Sequence, residues 1–182
     1  MSGLLPFPAR GQPAVETPAY LQGRGFVLRT AHHGDLPALL ALYADTRAAE
    51  MARVAWPAVA KQGFLAQQFE LQHRHYVLHY ADADFMVIER DGRLCGRYYL
   101  RRTAPEHLVV DISLLADCRG QGLGAALIRA TQAEAQALGR GVGLHVVRDN
   151  AGARRLYERL GFQACDGGSD THQRMRWPPG LS

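Results

Sequence analysis

Apolar residues fall three and four apart in two early stretches of the chain. Later they bunch into short runs between turn residues, and this change of period separates helices from strands. Phe26-Val27-Leu28-Arg29 reads as a first strand. Leu36, Leu39, Leu40 and Tyr43 mark one face of a helix that starts at His33 or Asp35. Pro57 stands where a second helix can begin, since its missing N–H costs nothing in a first turn. That helix is expected to reach about Tyr80. Phe85 to Ile88 and Leu94 to Arg101 are apolar strands around Asp91-Gly92, a two-residue turn signal, and so form a hairpin. Leu108 to Leu115 is a further strand, interrupted by Asp111 and Ser113. Gly120 to Gly124 is a glycine-rich turn into a helix, Ala125 to Leu138, which Gly139 ends. Val142 to Val147 is a strand, Asn150 to Leu160 a short helix stopped by Gly161, and the segments around Phe162 and Met175-Arg176-Trp177 are closing strands. The simplest architecture for this order is one mixed α/β sheet with helices packed on it. Residues 1–22, with Pro6, Pro8, Gly11, Pro13 and Pro18, read as a loose arm, and residues 23–178 as one domain.

Composition narrows the function more by exclusion than by assignment. The 182 residues suit one domain of ordinary size, and 47% apolar with 21% charged residues is the balance of a folded globular protein. No apolar run approaches the roughly 20 residues of a membrane helix. The first residues lack the basic start and apolar block of a secretory signal. A cytoplasmic protein without membrane partners is the expectation. The formal net charge is +4, carried almost wholly by arginine, for Lys61 is the only lysine. Arginine suits phosphates of any kind, but these arginines are scattered, and no helix-turn-helix or aromatic RNA motif accompanies them, so nucleic acid is not an expected partner. Cys95, Cys118 and Cys165 form neither a disulfide set nor a metal pair and read as free thiols. His75 and His79 share a helix face without a third ligand, so no metal site is expected.

The strongest chemical signal is Arg119-Gly120-Gln121-Gly122-Leu123-Gly124-Ala125, between a strand and a helix. Glycines let the chain turn sharply and let a ligand approach the backbone. The helix that follows offers unpaired N–H groups and the positive end of its dipole. Together they form an anion site that suits a diphosphate. A nucleotide P-loop would need Lys and then Ser or Thr where Ala125 and Ala126 stand. A dinucleotide fingerprint needs a wider third spacing than Gly120, Gly122 and Gly124 provide.

The segment Arg119-x-x-Gly122-x-Gly124 resembles the Arg/Gln-x-x-Gly-x-Gly/Ala motif of the GNAT acetyltransferases. Asn150-Ala151-Gly152-Ala153 and Leu156-Tyr157 through Gly161-Phe162 are similar to that family's Asn-x-x-Ala…Leu-Tyr-x-x-x-Gly-Phe segment. The order of elements agrees from about Gly25 to Trp177. The resemblance implies a mostly antiparallel sheet flanked by about four helices, and an acetyl-CoA-dependent N-acetyltransferase acting on a small-molecule or protein amine. It also implies that the strand Asp111-Ile112-Ser113-Leu114 splays from Leu144-His145-Val146. Pantetheine would enter the V and pair with the backbone at Ile112, Ser113 and Leu114. The diphosphate would rest on Arg119, Gly120, Gln121, Gly122, Leu123, Gly124 and Ala125. Ala116 departs from the family, where proline is frequent. Many members dimerise, so a homodimer is among the expectations, although no stretch of sequence points to an interface.

Acyl transfer from a thioester to an amine requires the amine to lose a proton and the thiolate to leave. Tyr157, two turns along the helix from Asn150, resembles the family tyrosine that protonates the thiolate. Asn150 is a favoured helix cap and stands where the pantetheine arm would pass. His145 occupies a position where some members carry a glutamate base, and an imidazole titrates near ~6.5, suitable for collecting an ammonium proton. Asp111, on the other strand of the V, is the rival base. Phe64, Gln68, Gln72 and Tyr76 form a helix stripe that either lines an acceptor pocket or divides between core and surface. A catalytically silent acyl-CoA sensor is the alternative to an enzyme.

Overall fold

Asp91 and Gly92 both adopt positive φ, +53° and +73°. That geometry matches the right-handed twist of the flanking strands and closes a tight hairpin between β2 (Asp84–Arg90) and β3 (Arg93–Arg101). The hairpin is seen in a computed structural model that describes residues 4–8 and 16–178. β1 (Phe26–Thr30) lies outside β2, and β4 (Glu106–Leu114) lies beside β3. β5 (Gly141–Val147), β7 (His172–Trp177) and β6 (Gln163–Cys165) complete a seven-stranded sheet in the order β1-β2-β3-β4-β5-β7-β6. Every neighbouring pair is antiparallel except β4 and β5. The expected fold class, a mixed and mostly antiparallel sheet with helices packed on it, is the one observed.

Both faces of the sheet are covered, so β2 reads as a continuous apolar run rather than an alternating one. Met86 and Ile88 join one core with Leu100, Val109, Leu144 and Val146. Against that face pack α1 (Ala19–Gln22), α5 (Leu123–Ala137) and α6 (Ala151–Arg159), through Leu21, Leu127 and Tyr157 among others. Phe85 and Val87 point the other way, into a core with Tyr99. That core is closed by α2 (Leu36–Thr46) and α4 (Ala58–His79), with α3 (Ala48–Ala52) between them. No helix among the described residues is long and apolar enough to cross a membrane.

The N-terminal arm differs from a loose tail wherever it is described; residues 1–3 and 9–15 of it lie outside the described residues. Phe7 packs on Phe85, Tyr99 and His73. Leu21 is fully buried, and Thr17 exchanges hydrogen bonds with the backbone of Leu28. Burial of a few large apolar side chains offsets the ordering of a proline-rich segment that has little structure of its own.

The feature that positions the site is the end of one ladder. β4 and β5 pair in parallel only from Glu106↔Gly141 to Val109↔Leu144. Beyond that point β4 stays with β3 as far as Gly96↔Leu114, and β5 stays with β7 as far as Val147↔His172. The cause is local. The β3–β4 register shifts where Leu100 faces Val109 and Tyr99 faces Asp111, so Val110 is an extra residue in β4. A bulge of this kind bends its strand. The two strands separate and leave a cleft of about 820 Å³ between them.

Candidate functional site

At one end of the cleft lies the glycine loop. Gly120 and Gly122 take φ of +73° and +78°, the left-handed region that glycine occupies without cost. The first bond of the α5 ladder runs from the Ala126 N–H to the Gly122 carbonyl. The amides of Leu123, Gly124 and Ala125 are therefore left without helical acceptors. The amides of Gly120, Gln121 and Gly122 likewise make no hydrogen bond within the described residues. Such a row of free donors at a helix N-terminus fits a diphosphate. α5 starts at Leu123, two residues before the expected Ala125, because Gly122 in its left-handed conformation is the residue that turns the chain into the helix.

Arg119 does not aim its charge at this loop. Its Nη2 donates to Asp45 Oδ2 at 2.8 Å, and its Nε donates to the Leu114 carbonyl at 2.8 Å. Asp45 also accepts from the Ala116 N–H. Arg119 therefore ties the loop to the end of α2, and the backbone donors remain free.

Ile112, Ser113 and Leu114 form the β4 wall of the cleft, and their outer edge is held by β3. Asn150 and Tyr157 lie across from them. Asn150 caps α6, its side chain accepting from the Ala153 N–H at 3.0 Å. Such a cap contributes about 1 kcal/mol to the helix. Tyr157 sits two turns on, with its ring against Phe162 and only 6% of its surface exposed. Burial, and then the charge of Asp111, push its hydroxyl up to about 12. The hydroxyl makes no hydrogen bond within the described residues. It is a protonated donor facing the cleft.

His145 and Asp111 face the cleft from opposite strands. Leu144 and Val146 enter the core on one face of β5, which leaves His145 exposed on the other. Asp111 is far more constrained. Its Oδ2 accepts from Arg97 Nη2 at 2.8 Å and from the Tyr76 hydroxyl at 2.7 Å, while Oδ1 accepts from the Ser113 hydroxyl. Arg97 is 3% exposed and also donates to Gln72 Oε1 at 2.7 Å. Burial disfavours the guanidinium charge, but the facing carboxylate outweighs it and holds Arg97 above its ordinary value. Burial and Asp111 together hold Tyr76 well above the usual tyrosine range. The result is a buried ion pair roofed by Tyr76 and Gln72.

The helix stripe thus divides. Gln72 and Tyr76 reach the cleft, whereas Phe64 packs edge-on against Trp56. Arg97 is the site residue that sequence reasoning missed. Its signal was a cation in the middle of an otherwise apolar strand, Leu94 to Leu100. Tyr43 and Tyr80, from α2 and the end of α4, also line this half. Cys95 and Cys118 are buried free thiols, and burial pushes Cys118 up to about 12, far from a nucleophile's range. Among the described residues no cluster of His, Cys, Asp or Glu could hold a metal.

The molecule thus carries a splayed parallel pair, a loop of free amides and a buried tyrosine on the facing helix. A sequence model of the Acetyltransferase (GNAT) family matches residues 46–162. The chain belongs to the GNAT acetyltransferase family. A mycothiol acetyltransferase of Streptomyces coelicolor is 38% identical over 106 residues, 56% of this chain and 34% of that protein. A 5-NmdU N-acetyltransferase of Pseudomonas phage PaMx11 is 36% identical over 78 residues, 42% of this chain and 54% of that protein. The chain therefore spans only about a third of the mycothiol enzyme's length. Among solved structures, the PaiA N-acetyltransferase of Thermoplasma acidophilum, in complex with coenzyme A, superposes with a TM-score of 0.64. At 15% identity, covering 84% of this chain and 98% of that one, it shares the GNAT fold.

Proposed function

We propose that this protein transfers the acetyl group of acetyl-CoA directly to a primary amine of a small molecule or a protein. The observation that carries the reading is the cleft itself. Free amides from Gly120 to Ala125 lie at its mouth, and the unpartnered Tyr157 hydroxyl lies inside it. Acetyl-CoA supplies the activated thioester. The loop amides hold its diphosphate, and the free edge of β4 at Ile112 to Leu114 holds the pantetheine arm, with Asn150 alongside.

In the reaction the amine nitrogen bonds the acetyl carbon, the carbon–sulfur bond breaks, and the amine proton leaves. Tyr157 donates a hydrogen bond to the departing sulfur. Burial pushes its hydroxyl up to about 12, and even an ordinary tyrosine lies above the ~8.5 of a thiol. Complete proton transfer to the thiolate is therefore uphill, and Tyr157 acts chiefly by stabilising developing negative charge. His145, exposed on the facing wall, takes the amine proton directly or through water. Asp111, which accepts from three donors and faces a buried guanidinium, organises Arg97, Tyr76 and Ser113 at the acceptor end and is not the base in this reading. Gln72, Tyr76, Tyr43 and Tyr80 shape the entrance for the amine. The acyltransferase domain in this reading is residues 23–178, with the segment from Thr17 to Gln22 packed on it.

An acceptor screen tests this, reading free thiol released from acetyl-CoA against amines and peptides. With an acceptor in hand, Tyr157→Phe should lower kcat by about 10²-fold while changing the Kd for CoA less than twofold. If neither protein turns over any amine and both bind CoA, the domain is an acyl-CoA sensor and the enzyme reading falls.

A further inference from the structure

The glycine loop is in contact with a part of the chain that precedes the family match at residue 46. Tyr20, in α1, donates its hydroxyl proton to the Gln121 carbonyl at 3.1 Å. The same oxygen would lie 2.7 Å from a methyl group placed on Gly122. Tyr20 therefore lies flush against the loop, and the missing side chain at Gly122 makes room for it. Above the ring of Tyr20 sits the guanidinium of Arg24, 3.9 Å from the ring centre. Among the described residues Arg24 has no acidic partner, and it is exposed.

Three anchors fix this arrangement. Leu21 is buried in the core against α5, Thr17 is bonded to Leu28, and Gly25 at φ +73° turns the chain from Arg24 into β1. Arg24 is thus a cation stacked on the tyrosine that touches the glycine loop. The arginine within the motif, Arg119, is bound to Asp45 instead. For a coenzyme that carries a diphosphate and a 3′-phosphate, a guanidinium adds charge-assisted hydrogen bonds that neutral amides do not supply.

We propose that Arg24, positioned by Tyr20, is a phosphate ligand for the nucleotide end of coenzyme A, so that the N-terminal segment completes the donor site. The inference rests on the acetyl-CoA reading. Arg24 makes the phosphate contact; Tyr20 is a positioning residue that fixes Arg24 against the loop. Part of the cost of ordering a long cationic side chain is met before the ligand arrives.

The test is calorimetric titration of the full chain with CoA and with 3′-dephospho-CoA, for wild type, Arg24→Gln and Tyr20→Phe. Arg24 is on the surface, so the variant should keep the wild-type Tm, which is checked alongside. Arg24→Gln is expected to weaken CoA about tenfold at low ionic strength, the scale of one charge-assisted hydrogen bond. Tyr20→Phe, which keeps the ring and loses the bond to Gln121, is expected to weaken it less. If Arg24→Gln leaves dephospho-CoA unaffected, the contact is with the 3′-phosphate. If both ligands lose equally, it is with the diphosphate. CoA binding by Arg24→Gln within twofold of a wild type that does bind would overturn the proposal and leave the donor reading intact. A wild type that binds neither ligand would remove the donor reading itself.

Discussion

Asp111 and Arg97 show how far the meaning of one residue depends on its neighbours. A lone aspartate in a cleft strand is a fair candidate base. With Arg97 at 2.8 Å, Tyr76 at 2.7 Å and Ser113 on its other oxygen, three of its roughly four acceptor positions are taken. The pair is buried, with side-chain exposures of 4% for Arg97 and 10% for Asp111. Removing one partner of such a pair leaves an uncompensated charge and typically costs about 3–5 kcal/mol. Asp111→Asn should therefore lower the unfolding free energy obtained from urea titration by an amount in that range, with Arg97 stranded. A variant that kept wild-type stability and lost only turnover would instead make Asp111 the base. The apolar pattern put Asp111 within the strand Leu108 to Leu115, and the family resemblance set that strand against Leu144-His145-Val146. Neither could supply Arg97 as the partner, because the strands must pair before the two residues meet. The Arg119–Asp45 contact was hidden for the same reason, since 74 residues separate its ends.

Among the elements, those with a local cause were the most legible. Asp91-Gly92 specifies a hairpin by its own backbone preferences, and Asn150 and Gly161 bracket α6 as a cap and a stop. The elements that escaped are held by tertiary contact. α1 is only four residues long, and its place is decided by Leu21 in the core. Segment 4–8 is held by Phe7 and by His73, whose Nε2 lies 2.7 Å from the Leu5 carbonyl oxygen. His73 is 2% exposed and stacks on Phe69. Burial lowers its pKa from 6.5, partly opposed by the bond to Leu5. His107, fully buried, is lowered from 6.5 by burial too. Between each lowered value and 6.5 the unfolded chain binds more protons than the folded one, so stability increases with pH there. The contribution is complete above about 6.5 and declines as pH falls below it. Urea midpoints at pH 7.5, 6.0 and 5.0 should fall in that order. His73→Gln should flatten part of the slope, and an unchanged slope would contradict the role given to His73.

On the scale of the whole molecule, function rests on an interrupted ladder. The sheet pairs continuously on both sides of the cleft and fails only between β4 and β5 beyond Val109 and Leu144. The bulge at Val110 that opens the gap left no mark in the apolar pattern, which reads Leu108 to Leu115 as a regular strand. The family resemblance supplied the V; the register explains it. Arg119, at the start of the glycine loop, lines this gap at one end, and the aromatic roof of Tyr76, Tyr43 and Tyr80 lines it at the other. The donor end is the part on which every proposed catalytic role depends. Isothermal titration of the purified chain with CoA and with acetyl-CoA examines it directly. Saturable one-site binding of both, weakened by a side chain at Gly122, is the predicted result. No heat from either ligand across the accessible concentration range would contradict the account.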